Sequence, residues 1–220
     1  MGISHGYAIG TIRNIYFACG VDSGLLASLM MDVQQKWDAI YSKRQSEKPG
    51  VSTVLEQNQH LLPKTGLALD LACGLGGNSL FLAEKGLKVE SWDISSVAIE
   101  QLKINAGKVS LDIHAQQRDV IAEPPAPAVY DVIVVSHFLV RDMAPVIADA
   151  LKSGGLLFYQ TFCRNKVNEI GPNNPDFLLD DNELLHMFSG LNVRVYREES
   201  VLGQLESGWR DQAMLVAEKA

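Results

Sequence analysis

From residue 67 onward the chain alternates two hydrophobic rhythms. Short segments at about Leu67–Cys73, Lys88–Trp92, Asp112–Gln117, Tyr130–Val135 and Leu156–Gln160 have the length of strands, the first and fourth being almost continuously apolar. Between them lie segments whose apolar residues recur every three or four positions, as on one face of a helix. Met143, Ile147, Ala150 and Leu151 make one such stripe. Gly86 suits the end of a helix from Asn78 to Lys85, and Ser95 suits the start of one reaching Ala106. Tyr130–Val135 is apolar at almost every position, which fits a strand covered by helices on both faces. The prolines of Glu123-Pro124-Pro125-Ala126-Pro127 exclude helix and central strand there and mark a surface connection.

Toward the C-terminus Gly154-Gly155 predicts a turn into the fifth strand, and Asp180 with Glu183 has capping-box spacing before a short helix closed by Gly190. Asn192–Ser200 and Ala213–Ala217 supply the last two strands. The connection between them, centred on Gly203 and Gly208, carries no helical pattern, which predicts an antiparallel closing pair. The alternation as a whole predicts an α/β fold with a doubly wound, mostly parallel sheet.

Upstream of residue 63 the pattern is helical. Met30, Val33, Trp37 and Ile40 or Tyr41 share one helix face, Ser42–Gly50 reads as a solvated loop, and Val51–His60 as a second short helix before Pro63. The expected organisation is a helical cap over residues 31–62 on a core over residues 63–220. Residues 1–30 read as a non-essential extension with the natural start at Met30 or Met31. Arg13 and Asn14 interrupt its apolar stretch, so it predicts neither a membrane span nor a secretory signal.

Composition narrows the function. The 220 residues are 47% hydrophobic with a formal charge of −7, a balance that disfavours a nucleic-acid face, which needs a basic groove, and favours small-molecule chemistry. The three cysteines, Cys19, Cys73 and Cys163, are far apart in sequence. They predict neither a disulfide framework nor a metal site, and they fit a reducing cytoplasm. A small-molecule substrate is predicted, with no nucleic-acid partner and no membrane association, and oligomeric state is not legible.

The chemistry concentrates in Asp70-Leu71-Ala72-Cys73-Gly74-Leu75-Gly76-Gly77-Asn78 and in Trp92-Asp93-Ile94-Ser95. An apolar strand, a glycine turn, a helix and a second strand closed by an acid make the layout of an adenosine-cofactor site at a sheet edge. Ser79 occupies the third glycine position of a dinucleotide fingerprint. Asp70 would repel a pyrophosphate but suits a ligand carrying ammonium and sulfonium charges, as S-adenosylmethionine does.

These residues resemble the motifs of the class I S-adenosylmethionine-dependent methyltransferases, in order, over roughly residues 60 to 217. The resemblance implies a Rossmann-like sheet of seven strands with an antiparallel last strand. It implies cofactor contacts at Asp70, Ala72, Gly74, Gly76 and Asn78, a ribose contact at Asp93 beside Ile94, adenine contacts at Asp119 and Val120, and a contact at Ser136 after the fourth strand. His137 and Arg141 are the candidate substrate-facing residues: the histidine as a base or a donor to an anion, the arginine as a partner for an anionic acceptor or for Asp142. Ser136-His137-Phe138-Leu139 is not the Asn/Asp-Pro-Pro-Tyr/Phe motif of enzymes that methylate amino groups of macromolecules. Trp37-Asp38-Ala39-Ile40-Tyr41, Tyr159-Gln160-Thr161-Phe162 and Gly171-Pro172-Asn173-Asn174-Pro175 are similar to the tellurite-resistance methyltransferase group. That similarity implies a small, soft or anionic acceptor, such as tellurite, selenite or a thiol. The alternatives are an NAD-type oxidoreductase and a non-catalytic S-adenosylmethionine-binding module.

Overall fold

A computed structural model describes residues 23–44 and 49–220. The first helix, α1, spans Ser23–Ser42, so it begins well before Met30. Of the expected N-terminal extension, residues 1–22 lie outside the described residues, and residues 23–30 belong to the helix. A short α2 (Thr53–Gln57) and a single 3-10 turn (Gln59–Leu61) precede the sheet. There follow β1 (Leu67–Leu71), α3 (Gly77–Glu84), β2 (Lys88–Asp93), α4 (Ser96–Lys108), β3 (Ile113–Gln117), β4 (Tyr130–Ser136), α5 (Ala144–Ala150), β5 (Leu151–Phe162), α6 (Glu183–Met187), β6 (Asn192–Arg197) and β7 (Gln212–Glu218).

The seven strands lie in the order β3-β2-β1-β4-β5-β7-β6. β1 to β5 are mutually parallel, while β7 runs antiparallel between β5 and β6. The strand order reverses between β1 and β4, and at such a point neighbouring connections leave on opposite faces and open a crevice beyond the strand ends.

Strand periodicity divides the core into two layers. Ala68, Val132, Val134, Phe158, Met214 and Val216 pack against Val54 and Leu55 of α2 and Leu82 of α3. The alternate residues Leu69, Leu71, Ile133, Val135, Leu157, Tyr159 and Leu215 pack against Ile147 of α5 and Leu184 of α6. Both faces are dry, so the strands need apolar residues at successive positions rather than at every second one. α3 ends as the sequence suggested: Gly86 has φ +93, its N–H donates to Ala83 O, and Leu87 N–H donates to Leu82 O.

Two boundaries differ from expectation. Gly154-Gly155 lies inside β5 rather than before it, because Leu151 already pairs with Tyr130 and a register shift absorbs the glycines. In the Asp180–Glu183 box only the reciprocal half forms, Asp180 N–H donating to the Glu183 carboxylate, and Asn182 at φ +61 leads into a helix that ends at Met187. Among the described residues no helix is long and apolar enough to cross a membrane.

Candidate functional site

At the C-terminal end of β1 the chain makes a tight turn through Ala72 (φ 56), Gly74 (φ 52) and Gly76 (φ 82). Such backbone angles favour glycine, and space reinforces the preference: a Cβ on Gly76 would lie 2.2 Å from Leu102 Cδ1 of α4. A Cβ on Gly77 would lie 1.9 Å from the carbonyl oxygen of Gly50, so the segment leading to α2 rests directly on the start of α3. Asn78 fixes the same contact, its Oδ1 accepting from Ser52 N–H at 2.8 Å.

The turn is tied to the next strand by an acid. Asp93 is buried, and its carboxylate accepts from Gly74 N–H at 2.8 Å and from Ser95 N–H at 2.9 Å. Burial pushes its pKa up to about 6 despite these bonds. Ser95 Oγ accepts from Ala98 N–H to cap α4 and donates to Asp38 of α1 at 2.5 Å. Trp37 and Tyr41, stacked with ring centroids 5.7 Å apart, continue the contact of α1, and a Cβ on Gly74 would meet the Tyr41 hydroxyl at 2.8 Å. α1 therefore walls the crevice from the side opposite the strand ends.

The resulting cleft has a volume of about 990 Å³, the upper part of the range for small-ligand sites. Ala72, Gly74, Gly76, Asn78, Asp93, Ile94, Asp119, Val120, Ser136 and His137 all line it. Asp70 and Arg141 do not. Asp70 sits beneath the turn, 1% exposed, with one carboxylate oxygen accepting from Ser79 Oγ at 2.5 Å and the other without a hydrogen-bond partner. Burial pushes this carboxyl up to about 6 as well. Asp119 uses Oδ1 to accept from Ile121 N–H and Ala122 N–H at 2.9 and 3.2 Å, which holds the turn carrying Val120.

Arg141 is spent on structure. Its guanidinium pairs with Glu183 of α6 and donates to the carbonyls of Asp176 and Leu178 at 2.9 and 3.0 Å, bracing the segment after β5. Neither an acceptor in the cavity nor Asp142 is its partner in these bonds. The braced segment brings Pro172, Asn174 and Phe177 to the cavity wall.

His137 stands at the end of β4 with φ 57, its N–H donating to Gln160 O at 2.8 Å. Nδ1 lies 3.1 Å from Ser136 Oγ, Nε2 lies 3.1 Å from Gln212 Oε1, and the ring centroid lies 4.8 Å from that of Phe162. One side of the residue stays open to the cavity, while the packing around the ring, partly opposed by the Gln212 bond, holds its pKa below the usual imidazole value.

Sequence reasoning missed Arg118, whose guanidinium lies 3.9 Å from the Trp92 ring centroid at the cavity edge, and the Gln160–Gln212 pair behind His137. Gln160 offered a signal, since an amide inside an apolar strand must find partners. Among the described residues no cluster of His, Cys, Asp or Glu could hold a metal ion.

The sheet order, the glycine turn bound by the β2 acid and the cavity at the strand switch define the class I S-adenosylmethionine-dependent methyltransferase fold. The family model described as Tellurite resistance protein TehB matches residues 33–207, and the chain belongs to that family. Among curated proteins it is similar to the ubiquinone biosynthesis O-methyltransferase of Burkholderia cenocepacia, 30% identical over 118 residues that cover 50% of each chain. The chain spans about half the length of the curated relatives it matches. TehB from Haemophilus influenzae shares the fold with a TM-score of 0.65 at 23% identity, over 84% of this chain and 67% of that one. A geranyl diphosphate C-methyltransferase from Streptomyces coelicolor A3(2), crystallised with S-adenosyl-L-homocysteine, gives a TM-score of 0.61 at 16% identity, over 76% and 79%.

Proposed function

We propose that the protein transfers the methyl group of S-adenosylmethionine to a small acceptor with a soft or anionic nucleophile, a thiol or a chalcogen oxyanion. The observation that carries this reading is the Asp93 carboxylate joined to Gly74 N–H on one wall of the cavity that has His137 on another. The residues present fit the cofactor. The unpartnered Asp70 oxygen beneath the turn favours a cationic ligand above it, Asp93 has lone pairs left for ribose hydroxyls, and Gly74 and Gly76 bring backbone without side chains of their own to the cavity wall.

When bound, the cofactor supplies an electrophilic methyl group on a sulfonium. The protein's part is alignment and exclusion of water. Val120 and Ile94 would flank the adenine, Asp119 and Asp93 would orient the nucleoside, and α1 would cover it. Ser136 and His137 would face the reacting atoms, with Phe138, Phe162 and Phe177 around the acceptor. A net charge of −7 agrees with a small-molecule substrate rather than a nucleic acid, and the free Cys73 and Cys163 agree with a reducing, cytoplasmic setting.

Calorimetric titration with S-adenosylhomocysteine, with NADH as control, tests the reading. Selective binding of the former is expected, weakened about 10- to 100-fold in Asp93→Ala, which corresponds to the loss of about 1.5–3 kcal/mol for a charged hydrogen bond. Selective binding of NADH would move the protein to the oxidoreductases. Binding of neither, or an unaltered Asp93→Ala affinity, would refute the site.

A further inference from the structure

β5 carries one buried amide, Gln160, whose Oε1 lies 2.8 Å from the backbone nitrogen of Val54 in the first turn of α2. A backbone N–H can only donate, so the Gln160 atom facing it is oxygen and its other end is the amide NH₂. That NH₂ lies 2.8 Å from Gln212 on β7, so Gln212 must present its oxygen. The same oxygen lies 3.1 Å from His137 Nε2, and an oxygen without hydrogens requires Nε2 to carry the proton. In the neutral ring, Nδ1 is then the lone-pair nitrogen, and it accepts from Ser136 Oγ at 3.1 Å on the cavity wall. Every assignment descends from one backbone N–H, so neither amide orientation nor tautomer is a free choice.

We infer that His137 is a catalytic base with Nδ1 as its accepting nitrogen, that Gln160 and Gln212 are the residues positioning it, and that the acceptor is a proton-bearing thiol or acidic hydroxyl on an apolar body rather than an oxyanion. This rests on the methyltransferase reading above. The cavity that His137 lines also presents Phe138, Phe162 and Phe177, with the Phe162 ring against the histidine, and these suit an apolar body. The charged and titratable groups nearby are engaged elsewhere. Arg141 is paired with Glu183, Asp211 beside Gln212 accepts from Val167 N–H and Asn168, and the Tyr159 hydroxyl donates to Phe138 O at 2.6 Å. The Cys163 thiol is pushed up to about 12, chiefly by burial. The basic residues lining the cavity, Lys36, Arg44 and Arg118, come from α1, the turn after it and the end of β3, the nucleotide half by strand order. The lowered pKa of His137 favours the neutral ring, the form in which Nδ1 has a free lone pair to accept a proton.

In the step, a lone pair on the thiol sulfur forms the new carbon–sulfur bond as the methyl–sulfonium bond breaks. The electrons of that bond neutralise the sulfonium to a thioether. The thiol proton passes to Nδ1, directly or across Ser136 Oγ, and the imidazolium then releases it to water.

Long-range proton–nitrogen NMR of the ligand-free protein reads the tautomer without any turnover, the His137 signals being assigned by their loss in His137→Asn. The expected pattern is Nε2–H, and Gln212→Glu, which keeps the acceptor oxygen and adds a negative charge, should raise the His137 pKa by roughly 1–3 units and move the acid limb of the rate profile with it. With phenylmethanethiol and selenite as probes, the thiol should be methylated faster, and His137→Asn should slow that reaction by roughly 10²–10⁴-fold. An Nδ1–H tautomer, an unmoved pKa in Gln212→Glu, or selenite outpacing the thiol would overturn the inference. Failure of S-adenosylhomocysteine to bind would instead refute the methyltransferase reading, and the NMR result would still judge the tautomer on its own.

Discussion

Asp70→Asn isolates the energetics of a buried charge kept without full compensation. The parent carboxyl is 1% exposed, holds one hydrogen bond to Ser79 Oγ and has a folded pKa of about 6, raised chiefly by burial and lowered in part by the Ser79 bond. In the unfolded chain it titrates near 3.9. A carboxyl with a raised folded pKa contributes stability that is fully present below the unfolded value and is lost as pH rises through the folded one. At about 1.4 kcal/mol per unit, the ligand-free protein loses on the order of 3 kcal/mol from this group between pH 4 and pH 6. The asparagine does not titrate, but its buried NH₂ lacks a partner at every pH, which costs about 1–3 kcal/mol. Below pH 4 the variant should therefore be the less stable protein by that amount. Above pH 7 the gap should close or reverse. Urea unfolding of both ligand-free proteins across this range measures it, and repeating the comparison in an Asp93→Asn background removes the neighbouring carboxyl that titrates in the same window and raises the Asp70 pKa. Parallel stability curves would refute the reasoning. The variant should also bind S-adenosylhomocysteine more weakly, because the charge it removes is the one beneath the ligand.

Arg141→Ala should release the segment that supplies Pro172, Asn174 and Phe177, raising KM for the acceptor several-fold while leaving the dissociation constant for S-adenosylhomocysteine within about twofold, in line with a partly buried charge-assisted pair acting on a loop; equal losses in both would place the arginine in cofactor binding. Removing residues 1–30 should leave cofactor affinity largely intact, since the described wall of the cavity on α1 begins at Val33, at the cost of the first part of that helix. Calorimetry on the shortened protein checks this, and lost binding would show that the residues before Met31 are needed.

How much was legible follows from the range of the interactions involved. β1 and β4 could be read to within a residue or two because burial on both faces leaves continuous apolar runs, and β2 and β3, which are more exposed and polar, were placed by the spacing of the turns and helices around them. The glycine turn was legible because its demands are local: angles at Gly74 and Gly76, and a cap at Ser95. Arg141 misled because its partner, Glu183, is 42 residues away, and local sequence offered only Asp142. Gln160 and Gln212 are 52 residues apart and meet only through the register of β5 with β7, which no local pattern states. The glycines of β5 misled in the opposite way, being a turn signal that pairing with β4 absorbed as an irregularity. At the start of the chain, Met30 drew attention as a start signal while helix α1 runs through it.

The docking of α1 has a thermodynamic corollary. This helix precedes the sheet in the chain and reaches the site through α4, where Asp38 accepts from Ser95 Oγ and Val97 N–H. A ligand beneath Trp37 and Tyr41 touches both the helix and the strand ends, so it can bind fully only while the helix is seated. Occupancy and seating are then linked equilibria: at a ligand concentration 100 times the dissociation constant, undocking becomes harder by about 2.7 kcal/mol. On the proposed placement a bound nucleoside would act as a clasp on the N-terminal helix, and protease protection of that helix would gauge how full the site is.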